Sequence, residues 1–174
     1  RISPEKGVDV LVDAMAKLSD LPVHLTVAGV GRGKDVLPLM RECRNSRIDG
    51  RVEWPGHVAD VYRAIASADI GVLPTRVAEA FGLSALEFMS QGVPVVASAS
   101  GGIPEIIADG TDGLLVEPGN PEALARAIRH LVADREVRES IGSEAKKKIE
   151  TQFGYEEFFK KISDIYESAF TRKR

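Results

Sequence analysis

The chain of 174 residues is short of cysteine, aromatics and net charge, and each shortage closes off a class of protein. A single cysteine, Cys43, allows no internal disulfide and no cluster of cysteine zinc ligands, which fits a reducing compartment and a cytoplasmic location. Aromatics make up 6% of the residues and the formal net charge is -3, so the chain offers neither a stacking platform nor a basic surface for nucleic acid. No run approaches the ~18 uninterrupted apolar residues of a spanning helix, and no repeat or low-complexity linker interrupts the sequence. What is present is a globular composition, 44% hydrophobic and 28% charged. The length fits one domain, read as residues 1–174 with closing helices at about 135–170.

Apolar periodicity switches between helix and strand along the chain. Val8, Leu11, Val12, Met15 and Leu18 share one helical face, Leu21-Pro22 closes that segment, and Val23 to Ala28 reads as a buried strand ended by Gly29-Val30-Gly31. The cycle then repeats, with helices expected near 35–45, 58–67, 83–91 and 104–108 and strands near 52–54, 70–73, 93–97 and 113–116. Asn120-Pro121-Glu122 is a cap followed by proline at the first helical position, so a helix is predicted to Val132, followed by helices at about 135–151 and 155–170. Short apolar strands alternating with helices predict a doubly wound, Rossmann-like parallel sheet with helices on both faces. Arg1 to Gly7 reads as a loop entering a helix with no strand before it. The expectation is therefore that an N-terminal strand is missing and that the sheet is interrupted in its middle.

Ligands of such folds bind outside the carboxyl ends of the strands, so the loops there carry the search. Gly29-Val30-Gly31-Arg32-Gly33 follows a strand and opens a helix, but its third glycine comes one position early for a dinucleotide fingerprint, and a tight turn needing glycine dihedrals explains it. Pro74 to Glu87 is richer: a strand ends, a loop carries Glu79, and a helix starts near Gly82 with free amides pointing back into the loop. Orphan N–H groups and the positive end of a helix dipole favour a phosphate at such a place. Glu87 lies one turn inside on the face of Ser84 and Gln91, while Leu83, Leu86 and Met89 can face the sheet. Taken singly, Glu87 reads as a solvated helix face and Glu79 as an ordinary loop charge.

The motifs Glu79-x7-Glu87 with Phe81-Gly82 between, Gln91-Gly92-Val93-Pro94-Val95-Val96, Gly101-Gly102-Ile103-Pro104-Glu105 and Gly113-Leu114-Leu115-Val116-Glu117-Pro118-Gly119 occur in that order. With the opening Arg1-x4-Lys6-Gly7, they resemble the group 1 (family 4) glycosyltransferases over nearly the whole chain. The resemblance implies the C-terminal, nucleotide-sugar-binding half of a GT-B fold, with an N-terminal acceptor domain as its partner. It implies a retaining enzyme that transfers a hexose-type sugar from a UDP-, GDP- or ADP-sugar to a hydroxyl, without a bound metal, cofactor or obligatory covalent intermediate. Carried onto this sequence, Arg1 and Lys6 are the cationic pair for the donor diphosphate, Glu79 addresses the sugar hydroxyls, and Glu87 accepts from the ribose diol. The amides of Phe81, Gly82 and Leu83 would reach sugar and β-phosphate, and the Trp54 to His57 loop would meet the base, with His57 as a possible pocket lining. This fragment alone is expected to bind donor and transfer nothing.

Two rival readings stand beside this one. The Glu79/Glu87 pair has the composition of a glycosidase acid and nucleophile, and a nucleotide-sugar-binding module without catalysis would keep the same residues. The remaining candidates are bland. His24 and His130 are read as packing or solvated residues, Ser100-Gly101-Gly102 as a glycine turn, and Glu105 as a helix cap. Lys146 to Lys148 and Arg172 to Arg174 read as solvated charges, with peripheral membrane contact of a longer enzyme as their functional alternative.

Overall fold

The computed structural model describes residues 1–171. Leu25–Ala28 (β1) pairs in parallel with Val52–Gly56 (β2), and Gly71–Leu73 (β3), Val95–Ser98 (β4) and Leu114–Val116 (β5) form a second parallel sheet in the order β3-β4-β5. The helices are Val8–Ala16 (α1), Gly33–Asn45 (α2), Val61–Ala66 (α3), Leu83–Ser90 (α4), Ile103–Ile106 (α5), Pro121–Ala133 (α6), Arg135–Gln152 (α7) and Tyr155–Thr171 (α8). Strand and helix thus alternate as the periodicity predicts. The described strands form two sheets rather than one, in keeping with the expected interruption, and Ile2 donates its N–H to Val30 just beyond β1 at 2.8 Å.

β4 is buried at every position, and it explains the layering. Side chains alternate across a strand. Val96 joins a core with Leu11, Met15, Leu124 and Ile128 from α1 and α6, whereas Val95 and Ala97 join a second core with Met89, Ile103, Ile106 and Ala145 from α4, α5 and α7. A strand apolar on both faces is the signature of a sheet covered on both sides, which is the doubly wound α/β fold.

Helix starts follow their capping chemistry. Asn120 Oδ1 accepts from the Ala123 N–H at 2.9 Å ahead of α6, and Asp134 Oδ1 accepts from Val137 at 3.0 Å ahead of α7. One helix behaves differently. On α8, Tyr155, Phe158, Phe159, Ile165, Tyr166 and Phe170 are all exposed, so its apolar stripe faces no partner among the described residues.

Several local expectations are corrected. β1 starts at Leu25, leaving Val23 and His24 outside it, and His24 is exposed rather than packed. Leu83 is 67% exposed, because the αL turn at Gly82 rotates the first turn of α4 and leaves Ala85 and Met89 to meet the core. Glu105 sits inside α5, whose N-cap is Gly102 with no side-chain cap bond. Lys148 is not a solvated charge, since its Nζ lies 2.8 Å from Asp112 Oδ2 with both side chains largely buried. Arg172 to Arg174 lie outside the described residues. No helix among the described residues is long and apolar enough to cross a membrane.

Candidate functional site

The carboxyl ends of the strands carry two adjoining features. At β1 and β2, a cleft of about 350 Å³ is walled by Ile2, the Gly29-Val30-Gly31 loop, Met40 on α2, and Trp54 and Gly56 at the end of β2. Its size falls in the range of small-ligand sites. A Cβ at Gly31 would lie 2.8 Å from the Ile2 side chain, so glycine is needed there for close approach; positive φ in this loop is confined to Gly29. This refines the expectation of a tight turn needing glycine dihedrals. His57 follows Gly56 in an exposed turn and is not among the walls of the cleft. A second depression, about 410 Å³, lies at the amino ends of β3 and β4. Its guanidinium groups are already engaged, Arg135 by Glu139 and Arg138 by the Leu131 carbonyl.

The loop after β3 brings together residues far apart in sequence. Lys6 Nζ donates to Glu79 Oε2 at 2.7 Å across a separation of 73 residues. The Lys6 side chain is 43% exposed and that of Glu79 is 25% exposed, so the pair is open to a ligand. Glu79 is held through its backbone: it bridges in parallel to Gly101, and its carbonyl accepts from the Gly102 N–H at 2.8 Å. A Cβ on Gly101 would stand 2.3 Å from that carbonyl oxygen, which gives the Gly101-Gly102 turn a specific task. It lets the loop carrying Glu79 lie directly on the segment after β4.

Three residues further on, Gly82 caps α4 in the left-handed region at φ 75°, with no side-chain cap bond. A Cβ there would meet Ile103 Cδ1 at 2.4 Å, so both conformation and space require glycine. Among the described residues no protein acceptor takes the N–H groups of Phe81, Gly82, Leu83 or Ser84. A helix start with free amides beside an ammonium group is a place for an anion. Glu87 lies on α4 half-buried, and among the described residues no ion pair or hydrogen bond engages its carboxylate. Arg1 is turned elsewhere: its guanidinium lies 3.8 Å from Glu5 Oε2 on an exposed surface. The structure thus unites Lys6 with Glu79, places Phe81 to Leu83 in the next turn, and leaves Arg1 paired with Glu5.

Chemically, the corner can neutralise an anion with Lys6 and backbone dipoles and can accept hydrogen bonds from hydroxyls with Glu79 and Glu87. Glu79 already accepts a hydrogen bond from the Lys6 ammonium, the part an acceptor of ligand hydroxyls plays. No group of three or more His, Cys, Asp or Glu side chains among the described residues is placed to share a metal ion.

The description Glycosyl transferases group 1 matches residues 1–148 of this chain. The chain belongs to that family. D-inositol 3-phosphate glycosyltransferase of Corynebacterium kroppenstedtii is 39% identical over 99% of this chain and 40% of its own length. Among solved structures, HepE of Anabaena in complex with UDP superposes with a TM-score of 0.91 at 29% identity, over 97% of this chain and 47% of that one. The C-terminal domain of the group 1 family protein LpcC from Francisella tularensis superposes with a TM-score of 0.78 at 28% identity, over 89% of this chain and 83% of that domain. The fold is therefore that of a GT-B glycosyltransferase domain. The chain spans less than half the length of the curated relatives it matches.

Asp9, Thr75 and Arg76 also belong to this corner and were not legible as site residues. The contacts that bring them here, Thr75 to Glu5 and Arg76 to Asp9, span 70 and 67 residues, and no local spacing marks them.

Proposed function

We propose that this chain is the donor-binding domain of a retaining glycosyltransferase that takes a nucleoside diphosphate sugar. The observation that carries the reading is the open Lys6–Glu79 pair beside the unsatisfied amides of Phe81 to Ser84, a cation, an acceptor and an anion cradle within one loop. In this reading Lys6 and the α4 amides hold the diphosphate, and Arg1 swings from Glu5 to join them. Hydrogen bonds to charged groups contribute roughly 1.5–3 kcal/mol each. Glu79 accepts from sugar hydroxyls and Glu87 from the ribose diol. The base lies in the cleft at Gly29 to Gly31, Trp54 and Gly56, with His57 at its rim.

Catalysis is electrostatic. The bond from the anomeric carbon to the β-phosphate oxygen breaks, an acceptor hydroxyl attacks from the same face and passes its proton to the departing phosphate oxygen, and Arg1, Lys6 and the helix dipole stabilise the charge gathered on the leaving diphosphate. The reading assigns that load to protein groups, so chelator is expected to leave turnover unchanged. The acceptor is held by a second domain, consistent with the length of the relatives and with the uncovered apolar stripe of α8. Solved HepE complexes contain UDP and UDP-glucose, which makes uridine nucleotides the first to try.

Calorimetric titration of the chain with UDP, GDP and ADP tests the reading. One nucleotide is expected to bind, and Lys6→Ala and Glu87→Ala are each expected to weaken it. Binding untouched by both substitutions would remove the site assignment.

A further inference from the structure

The N-terminal segment and the loop after β3 are fastened together at several points besides Lys6 and Glu79. The Glu5 carbonyl accepts from the Arg76 N–H at 2.9 Å and from the buried Thr75 hydroxyl at 3.1 Å. Gly7 lies so close under Pro74 that a Cβ would come within 1.9 Å of its carbonyl oxygen. Outside these, the Arg76 guanidinium forks onto the Asp9 carboxylate, with Nε 3.3 Å from Oδ1 and Nη2 on Oδ2. Lys6 lies three residues before Asp9, and Glu79 three residues after Arg76. The two ion pairs therefore span the same two segments that the backbone contacts join.

We propose that Asp9 and Arg76 are positioning residues for the donor site, whose forked ion pair sets the register between the two segments and so places Lys6 against Glu79. The proposal rests on the reading of Lys6 and Glu79 as donor ligands. Three features point to positioning rather than bulk stability. The Arg76 and Asp9 side chains are 44% and 47% exposed, and pairs so exposed add little to folding. A guanidinium fork on a carboxylate fixes orientation as well as distance, which a lysine does not. Asp9 also stands in the first turn of α1, where the helix itself fixes the position of the carboxylate that Arg76 grips.

The test is a double-mutant cycle on the 174-residue chain, titrated with whichever of UDP, GDP and ADP the unmodified chain binds. Asp9→Asn and Arg76→Gln are each expected to weaken binding about three- to tenfold, with the thermal midpoint nearly unchanged. Added to Lys6→Ala, either substitution is expected to cause no further loss, an interaction that a purely structural defect would not produce. Single variants that bind as well as the parent would overturn the proposal, and so would losses that persist undiminished without Lys6. If the parent chain binds none of the three nucleotides, the donor reading itself fails. Hydrogen exchange at the Arg76 amide then judges the clasp separately: faster exchange in Asp9→Asn supports it, and unchanged exchange removes it.

Discussion

Two lysine–carboxylate pairs in this molecule have nearly the same length and opposite settings. Lys148 and Asp112 meet at 2.8 Å with side-chain exposures of 16% and 7%, and the other Asp112 oxygen accepts from the Ala108 N–H at 2.7 Å. Lys6 and Glu79 meet at 2.7 Å with exposures of 43% and 25%, beside four amides that no acceptor among the described residues takes. The first pair is closed: every strong contact it needs comes from the protein, and it ties α7 to the turn before β5. The second is open, so a ligand anion can take Lys6 and a ligand hydroxyl can take Glu79 without exposing a buried charge. Burial and local satisfaction, rather than the chemistry of the pair, separate a closed structural bridge from one open to a ligand.

The sharpest break of this comparison is Lys148→Ala, which leaves Asp112 buried without its cation and is expected to cost about 3–5 kcal/mol. For a chain of this size that is a fall in thermal midpoint of roughly 6–20 °C, measurable by calorimetry. Where the variant remains folded, nucleotide affinity is expected to stay within about twofold of the parent. Lys6→Ala should invert the pattern. Nucleotide binding is expected to weaken roughly 10- to 100-fold by titration, the loss of one hydrogen bond to a charged group. Its folding stability should change by less than about 1 kcal/mol in a denaturant melt, because the pair is partly exposed.

Gly82→Ala probes the cradle itself. Forcing a side chain into the left-handed region against Ile103 is expected to cost about 1–2 kcal/mol and to weaken nucleotide binding by displacing the α4 amides. The smallest effect belongs to a third, exposed pair, Asp20 with Arg129. The hydrogen bond from that guanidinium holds the Asp20 carboxyl down to about 2 from an ordinary 3.8. A depressed carboxyl stabilises the fold above its ordinary value and loses that contribution as pH falls. Asp20→Asn should therefore flatten the acid limb of stability slightly between about 3.8 and about 2, and leave melts at neutral pH little changed.

The order of elements was legible because apolar period and punctuation sit in local sequence. Asn120-Pro121 announced its helix, and the free helix start at Gly82 followed from a strand, a loop and a glycine. Misreadings occur where a distant group decides. The orientation of Leu83 depends on the αL turn at Gly82 and on Ile103 beneath it. Lys148 reads as one of three solvated lysines until Asp112 is folded against it, 36 residues away in the chain. Gly101 reads as part of a glycine turn, and only the fold shows that its lack of a side chain is what admits the Glu79 backbone.

The sequence by itself determined the fold class and the family, and it pointed to the loop after β3 as the place to look for a ligand. Hydrophobic period, capping residues and ordered motifs act over a few turns of chain and need no tertiary partner to be read. Only the tertiary structure decided which charges meet. It set Lys6 on Glu79, Arg76 on Asp9 and Lys148 on Asp112, and turned Arg1 toward Glu5. The strength of an ion pair depends on distance and surrounding dielectric, and for partners from separate elements both are set by packing.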